Sequence, residues 1–404
     1  MKSVSQHLKE CLALVEPLPP FFVELAEAVG CVLAEDVRSL VDVPAANLAA
    51  CDGYAVKADE IAGARSEHPV TLPVTGEIFA SHTHGERHAP KTAIRIASGA
   101  RMPADADTVV PLELTNQDKV EVEIRCALET GSHVRLAAED VTAGEVVLEH
   151  GLRLSSRHIA LLAATGHSRV LVHPMPRVVV MSVGDELVET GQGISQGQVY
   201  DANGHGLTNA AQSAGAEVFR VGPISDEQNI LRNAIEDQLV RADILIISGG
   251  LSYGGGDTVK DVLSPLGSVR FDTVAITPGR QFGLGALGEN TLVFCLPGDP
   301  AAALIAFEVF VRPVLRKISG YSHLMARTVS AKALHGFPAT FGRRDFLCVK
   351  VYGSASEGYT FEVAGSVERP LLSAFAAAHA VAVVPEDVDT VAIGDEIVCM
   401  ILPS

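Results

Sequence analysis

Two features are absent from this sequence of 404 residues and a third is scarce, and each of these excludes a class of protein. No apolar run reaches the roughly 18 residues that a membrane-spanning helix needs. The first twenty residues lack the basic flank, apolar stretch and cleavage site of a secretory signal, so we expect a cytoplasmic protein. Basic residues are scarce: 31 Lys and Arg against 49 Asp and Glu give a net charge of −18, which argues against a nucleic-acid partner. An anionic ligand therefore needs local cations or a metal ion.

Paired cysteines are also missing. The chain has seven cysteines, widely separated and without a CxxC pair. An odd, scattered set is typical of reduced and mostly buried thiols rather than of disulfides or a zinc site.

The hydrophobic pattern changes several times along the chain, which predicts several domains. The first forty residues (QHLKECLALV, FFVELAEAVGCVLAEDV) have helical spacing, and so does SSRHIALLAATG. Between them, short alternating runs cut by Gly, Pro and Asp predict a β-rich insertion. We therefore predict a split helical domain (1–42 and 137–172) and an insertion domain (43–136), followed by an α/β domain (173–318) and a C-terminal β-domain (319–404).

The α/β domain is predicted from apolar strands that alternate with helical patterns. RVVVMSVG, ADILIISGG, FDTVAIT and NTLVFCLPG are continuous aliphatic runs, separated by segments such as GHGLTNAAQSAG and QNILRNAIEDQLVRA. This alternation indicates a parallel sheet covered by helices on both faces. The fold class is therefore multidomain α/β.

Four turns that follow these strands are the first candidates for a ligand site, because ligands bind beyond the carboxyl ends of strands in such sheets. They span residues 182–187, 248–258, 278–280 and 296–300. The second contains five glycines in nine residues, which allow a phosphate to approach the backbone closely, although a tight turn alone would look the same. Asp257 is interpreted equally well as a helix cap and as a metal ligand, whereas Asp299 is read as a cap, with Pro300 as the first helical residue.

The insertion domain offers further polar turns. Asp52 precedes Gly53 and Tyr54, and Ser98 precedes Gly99. Taken singly, each is an ordinary turn. Arg135, Glu139 and Asp140, near the return to the helical domain, are interpreted as a surface ion pair.

Taken in order, these segments resemble the MoeA-like molybdopterin molybdenumtransferase family, which includes the gephyrin E-domain. The resemblance covers essentially the whole chain, through VPAANLAACDGYAV, IRIASGARMPADADTVVPLE, VRLAAEDVTAG, PRVVVMSVGDELVETG, GQVYDANG, ISGGLSYGGGDTVK, AITPGR, LPGDPAAA and GRRDF. It implies a MogA-like α/β domain and an enzyme that inserts molybdate into adenylylated molybdopterin, releases AMP and uses Mg²⁺. It also implies a homodimer with its active site between subunits, a MogA-like adenylyltransferase as supplier and molybdoenzymes as acceptors.

The resemblance also implies which residues act. The catalytic positions that it carries over are Asp52, Ser98, Asp140, Glu186 and Asp257, the last two also as metal ligands. The substrate-binding positions are Gly249, Gly250, Ser252, Gly254, Gly279, Arg280, Pro297, Gly298, Asp299, Pro300, Arg343 and Ser366.

Several positions depart from the family pattern. Val183 replaces a threonine, Gly255 an acid, and Asp299 an asparagine. The family's oxyanion-binding set is depleted, because Thr277, Cys348 and Ala364 stand where lysine, arginine and glutamine are usual. Arg280 and Ser366 remain, and Arg369 or Arg343 are candidates to substitute. Each lost charge-assisted hydrogen bond costs roughly 1.5–3 kcal/mol of oxyanion binding.

Three functions follow from these residues. The first is a working molybdenum-inserting transferase. The second is a divergent paralogue that acts on another ligand or oxyanion, and the third is a non-catalytic carrier or scaffold for the pterin nucleotide. The sequence does not separate molybdate from tungstate, because both are tetrahedral dianions of nearly equal size.

Overall fold

The computed structural model describes residues 1–81, 86–251, 258–288 and 291–403. The N-terminal part contains α1 (Val4–Ala13), β1 (Phe21–Glu24), β2 (Val32–Leu33) and β3 (Val37–Arg38). The segment that follows the insertion, called the return segment below, contains β11 (Val146–Leu148), α2 (Ser156–Ala164) and β12 (Arg169–His173). Between β3 and β11 the insertion contains β4 (Leu48–Ala49), β5 (Gly53–Val56), β6 (Val70–Ile78), β7 (Ala93–Ile96), β8 (Thr108–Pro111), β9 (Glu121–Ile124) and β10 (Val134–Arg135), with 3₁₀ turns at Ala58–Ile61 and Leu112–Leu114.

The helical prediction for the segment after α1 is wrong. Residues 21–38 contain the short strands β1 to β3, joined by turns, and these strands pair with β12 and β11 of the return segment. The apolar spacing there fits a helix, but long-range pairing with the five-residue strand β12 overrides that local preference. The two pieces thus meet, but largely through strands. The four domain boundaries stay predictions.

Helix α1 packs against the α/β domain and carries a buried histidine. His7 is 1% exposed and lies against the rings of Phe282 and Phe310, and its Nδ1 has no hydrogen-bond partner in the described structure. Burial lowers the pKa of His7 to about 4, with the charge of Lys2 contributing. The folded protein therefore holds this imidazole neutral.

Acid should consequently destabilise the protein through His7. The unfolded chain binds a proton here below about pH 6.5 but the folded chain only near pH 4, so stability is complete above 6.5 and falls as the pH drops towards 4. The free energy of unfolding should fall by roughly 3 kcal/mol from this group alone. Urea titrations across this range should show a flatter pH dependence for His7→Phe. The same substitution at the exposed His323 is the control, and identical slopes for parent and His7→Phe would contradict the assignment.

The α/β domain contains β13 (Arg177–Val183), β14 (Leu187–Val188), β15 (Val199–Tyr200), α3 (Ala202–Ser213), β16 (Glu217–Ile224), α4 (Gln228–Leu239), β17 (Ile244–Ser248), α5 (Thr258–Leu266), β18 (Arg270–Thr273), β19 (Ile276–Thr277), β20 (Gln281–Leu287), β21 (Thr291–Leu296), α6 (Pro300–Ala306), a π-helical turn (Phe307–Val311) and α7 (Arg312–Ile318). Its main sheet has the order β16-β13-β17-β21-β20-β18. The first four strands are parallel, and β20 and β18 add an antiparallel edge.

Helices cover both faces of this sheet, as predicted. Alternate residues of β13, β17 and β21 point to opposite faces: Val178 packs in the core that includes Leu207 of α3, whereas Val179 packs in the core that includes Leu231 of α4. This burial explains why the strands read as continuous aliphatic runs. The run FDTVAIT, predicted as a single strand, is instead divided between the edge strand β18 and β19, which belongs to another sheet.

The C-terminal region forms the predicted β-domain. It contains β22 (Thr328–Ala333), β23 (Phe337–Pro338), β24 (Arg344–Ser354), β25 (Gly358–Val363), α8 (Leu372–Ala377), β26 (Ala380–Val384), β27 (Thr390–Val391) and β28 (Glu396–Ile401). The pairings β24-β25-β22-β28-β26-β24 close a ring, so these strands make a small barrel without free edges among them. Strand β19 joins the barrel beside β24. Among the described residues, every helix is too short or too polar to span a lipid bilayer.

Candidate functional site

Three of the predicted turns meet at the carboxyl edge of the parallel strands. They follow β13, β17 and β21, which are neighbours in the sheet. The Gly249 amide donates a hydrogen bond to the Leu296 carbonyl oxygen, 3.3 Å away. A Cβ atom built on Gly298 would lie 3.5 Å from the Gly249 Cα. For the described residues of these three turns, the prediction that they gather at one rim is confirmed.

Glycine is required in the second turn for steric reasons. Gly249 has φ +90°, and a Cβ atom there would lie 2.4 Å from the Val183 carbonyl oxygen. Gly250 has φ +66°, and its Cβ would lie 2.5 Å from Cγ2 of Val259. Both positions combine a left-handed backbone with close approach of a neighbour. Ser252, Gly254 and Asp257, also predicted for this turn, lie outside the described residues.

The turn at 278–280 reaches the same rim from another sheet. The sequence predicts that this turn follows a strand of the α/β sheet, but it follows β19, which pairs with β24 of the barrel. Gly279 nevertheless packs on the fourth turn, since a Cβ atom there would lie 2.7 Å from the Pro297 Cγ. The exposed Arg280 guanidinium forms no ion pair with a residue in the described ranges. The Arg280 guanidinium is therefore available to bind an anion.

The fourth turn is fixed by a helix cap. The Asp299 carboxylate accepts a hydrogen bond of 2.9 Å from the Ala302 amide, and Pro300 is the first residue of α6. The expectation that Asp299 caps a helix is confirmed.

Glu186 lies at this rim among other carboxylates. It is exposed, and its Oε2 would be 2.6 Å from a Cβ atom built on Gly184. The Asp226 amide donates to the Asp185 carboxylate at 3.2 Å. Burial raises the pKa of the Asp226 carboxyl, and the negative charges of Asp185 and Glu186 raise it further. The rim thus carries negative charge that a bound cation would neutralise.

The carboxylates at this rim can hold Mg²⁺ only if the substrate supplies further ligands to the ion. No group of three or more His, Cys, Asp or Glu within the described residues is arranged to hold a metal ion. Mg²⁺ is usually bound through one or two carboxylates together with substrate phosphates and water. Glu186 can supply one such carboxylate, while Asp257 lies outside the described ranges.

The insertion domain brings two predicted residues together. The Asp52 carboxylate accepts a 2.7 Å hydrogen bond from the Ser98 amide, and both side chains are exposed. Asp140 is also exposed, and its amide bonds to Val43. Arg135 and Glu139 form the expected ion pair at 2.9 Å. Across the described chain, no hydrogen bond or ion pair links Asp52, Ser98 or Asp140 to the α/β domain.

The positions of the depleted oxyanion set converge on one small cavity beside Pro278, at the junction of the α/β domain and the barrel. Its lining includes Thr277, Cys348, Ala364, Ser366 and Arg369. Burial raises the pKa of the Cys348 thiol to about 11, so this thiol is neutral at physiological pH. The Thr277 hydroxyl is buried without a hydrogen-bond partner among the described residues.

Of the two proposed substitute cations, only Arg369 lines this cavity. Arg343 precedes β24, and Ile276 and Thr277 of β19 pair with Arg344 and Asp345 in parallel. In that register Arg343 lies at the end of the strand pair away from Pro278 and Arg280.

Sequence reasoning missed a group of polar residues at the start of α3. Asp201, fully buried, caps the helix through the Gly204 amide and pairs with Arg220, which also binds Glu189. Asn203 donates to the Gly298 carbonyl oxygen at 2.9 Å. The sequence does indicate this helix start, because Asp201 comes immediately before a helical pattern and Asp is a common N-cap residue.

Comparisons with known proteins cover nearly the whole chain. Residues 2–166 match the family described as MoeA N-terminal region (domain I and II), and residues 179–317 match the one described as Probable molybdopterin binding domain. Molybdopterin molybdenumtransferase 1 of Mycobacterium tuberculosis is 36% identical over 98% of this chain and 97% of its own length. Molybdopterin molybdenumtransferase of Haemophilus influenzae is 32% identical over 94% and 93%. A molybdopterin biosynthesis MoeA protein structure from Pyrococcus horikoshii, 29% identical, superposes with a TM-score of 0.81 over 100% of this chain and 99% of its own.

Proposed function

Because this chain belongs to the MoeA family of molybdopterin molybdenumtransferases, we propose that it inserts molybdate into adenylylated molybdopterin with release of AMP. The observation that carries the proposal is the convergence of four turns at one rim of the α/β sheet. Glycines there leave room for phosphate groups to approach the backbone closely, and Arg280 adds a positive charge that no described residue neutralises. The substrate and the reaction steps rest on this arrangement.

In this proposal the four turns hold the pterin nucleotide. Gly249 and Gly250 form a floor without side chains beneath the phosphates, and the turn from Pro297 to Pro300 forms a wall beside them. Glu186 would hold Mg²⁺ against the phosphates, together with Asp257 as a further predicted ligand. When bound, Mg²⁺ would neutralise phosphate charge and make the phosphoanhydride easier to cleave.

Molybdate would dock near Arg280, beside the dithiolene. Two dithiolene thiols replace two oxygen ligands of molybdate, which take up the two thiol protons and two protons from solvent and leave as two water molecules, and cleavage of the phosphoanhydride by a further water molecule releases AMP. The protein contributes chiefly by holding the dianion and the dithiolene in contact, which converts a bimolecular encounter into a reaction within one complex.

A second subunit would complete the site. Asp52, Ser98 and Asp140 are exposed and are not linked to the rim by any hydrogen bond or ion pair in the described part of one chain. We therefore place them in the cleft of a partner subunit, in a homodimer. A MogA-like adenylyltransferase would supply the substrate, and a molybdoenzyme would accept the product.

The decisive assay supplies purified protein with adenylylated molybdopterin, Mg²⁺ and molybdate, and measures AMP. Release that depends on molybdate supports the transferase. Tight pterin binding without AMP release would instead favour a carrier or scaffold. Loss of pterin binding as well would favour a divergent paralogue with another ligand. The uncharged Cys348 thiol, which lines this cavity where an arginine is usual, is the observation that keeps these two alternatives open.

Placing an arginine at position 348, in the cavity that Arg369 also lines, should strengthen molybdate binding. Cys348 is 8% exposed and lines the cavity, so an arginine there can direct its guanidinium into it. One charge-assisted hydrogen bond to an oxyanion contributes about 1.5–3 kcal/mol, so Cys348→Arg should lower the Kd for molybdate at least about tenfold. Equilibrium dialysis measures this affinity.

The control is Cys348→Met, which adds volume without charge and should leave the affinity unchanged. A folded Cys348→Arg protein with the parent's molybdate affinity would show that the oxyanion binds elsewhere.

A further inference from the structure

Asn203 ties the start of α3 to the turn between β21 and α6. It is 9% exposed, and its Nδ2 lies 2.9 Å from the Gly298 carbonyl oxygen. A carbonyl oxygen only accepts hydrogen bonds, so the amide nitrogen must face it. The Asn203 Oδ1 is buried and has no partner in the described structure. A buried acceptor left unpaired is costly, so this side chain is not placed there for stability alone.

This bond also sets the direction of the next amide. The Gly298–Asp299 peptide is trans, so its C=O and N–H groups point in opposite directions. Because Asn203 holds the Gly298 C=O towards α3, the Asp299 N–H points away from α3. That N–H donates to no acceptor in the described part of the chain, and Gly298 and Asp299 are both exposed.

We propose that Asn203 is a positioning residue that orients the Asp299 backbone amide to bind a phosphate oxygen of the nucleotide. The proposal rests on the proposed function and deepens it, since it names the backbone group that would bind the phosphate. It also explains how an acidic residue is tolerated beside an anion. The Asp299 carboxylate is turned towards the Ala302 amide of its own helix, which leaves only its N–H available to the ligand.

The first test changes the orienting bond. Asn203→Asp keeps the shape of the side chain but replaces the donor by an oxygen that repels the Gly298 carbonyl. We expect the Kd for AMP, measured by calorimetry, to rise at least about tenfold. The Kd for adenosine should stay unchanged, because adenosine has no phosphate. Asn209→Asp is the matched control, because Asn209 lies on the same helix and its Nδ2 bonds only to the His205 carbonyl oxygen among the described residues.

The second test removes the amide itself. Asp299 has φ −65° and ψ 125°, which proline adopts without strain, and Asp299→Pro deletes the N–H. Asp299→Ala is its control, because both variants lose the capping carboxylate but only the proline variant loses the amide. We expect Asp299→Pro to bind AMP at least about tenfold more weakly than Asp299→Ala. The comparison of Asp299→Pro with Asp299→Ala also tests the role of the amide if Asn203→Asp does not fold.

Equal AMP affinities for Asp299→Pro and Asp299→Ala would overturn the inference. So would an Asn203→Asp variant that loses adenosine and AMP binding alike, because that result indicates a general collapse of the cleft. These failures are distinct from failure of the proposed function. A parent that binds AMP but releases none from adenylylated molybdopterin contradicts the function, whereas a parent that binds no AMP contradicts both.

Discussion

Replacing Gly249 by alanine is expected to reduce molybdate-dependent AMP release at least about a hundredfold, because it displaces the floor of the cleft. The added Cβ atom would lie 2.4 Å from the Val183 carbonyl oxygen, which is backbone and belongs to the central strand β13. Strand β13 is paired on both sides, so the turn must move rather than the strand. The φ of +90° adds backbone strain for any residue with a side chain. We also expect the free energy of unfolding to fall by about 1–3 kcal/mol.

The matched control for this variant is Gly394→Ala. Gly394 has φ +87°, close to that of Gly249, but a Cβ atom there would meet no described atom within 4 Å. It therefore carries the backbone strain without the collision. AMP release and thermal unfolding of both variants separate the two effects. A Gly249→Ala protein as active as Gly394→Ala would show that the second turn does not contact the substrate.

Replacing Arg220 by methionine is expected to destabilise the protein by about 3–5 kcal/mol, because it leaves a buried carboxylate without a cation. Asp201 is fully buried and bonds to Arg220 at 2.7 Å, and its other described partner is the Gly204 amide. Hydrogen bonds to Glu189 and Asp201 raise the pKa of Arg220, which offsets the effect of its own burial. Since Asp201 caps α3, its displacement should also shift Asn203 and the turn that Asn203 holds.

Chemical denaturation measures this effect, with Arg177→Met as the control. Arg177 lies on the neighbouring strand β13 and binds Asp243 through two nitrogens, but its side chain is 47% exposed. An exposed pair of this kind contributes about 0–1 kcal/mol. Equal losses of stability for the two variants would show that burial of Asp201 adds nothing to the cost of losing its arginine.

The sequence predicts the central strands of the α/β domain because β13, β17 and β21 are buried on both faces and therefore appear as continuous aliphatic runs. The turns that follow them are predictable for the same reason, since the carboxyl ends of parallel strands share one edge. Gly249 and Pro300 are recognisable because close approach to the backbone and a first helical position favour those residue types.

Other features depend on contacts distant in sequence and were therefore mispredicted or missed. Residues 21–38 have helical spacing, but pairing with β12 and β11 places three short strands there instead. Ile276 and Thr277 resemble a further strand of the same sheet, but they pair with Arg344 and Asp345.

The hydrogen bond from Asn203 to the Gly298 carbonyl oxygen could not be predicted, because the two residues are 95 positions apart in the sequence. The convergence of Thr277, Cys348 and Ala364 on one cavity followed from the resemblance and not from any local pattern.

A crystal structure of the protein soaked with AMP, Mg²⁺ and molybdate would show whether one rim of the α/β sheet binds the nucleotide, the point on which the proposed function depends. We predict an AMP phosphate above Gly249 and Gly250, within hydrogen-bonding distance of the Asp299 amide. Ordered AMP at a different surface, with the rim turns occupied only by water, would contradict the proposed nucleotide site.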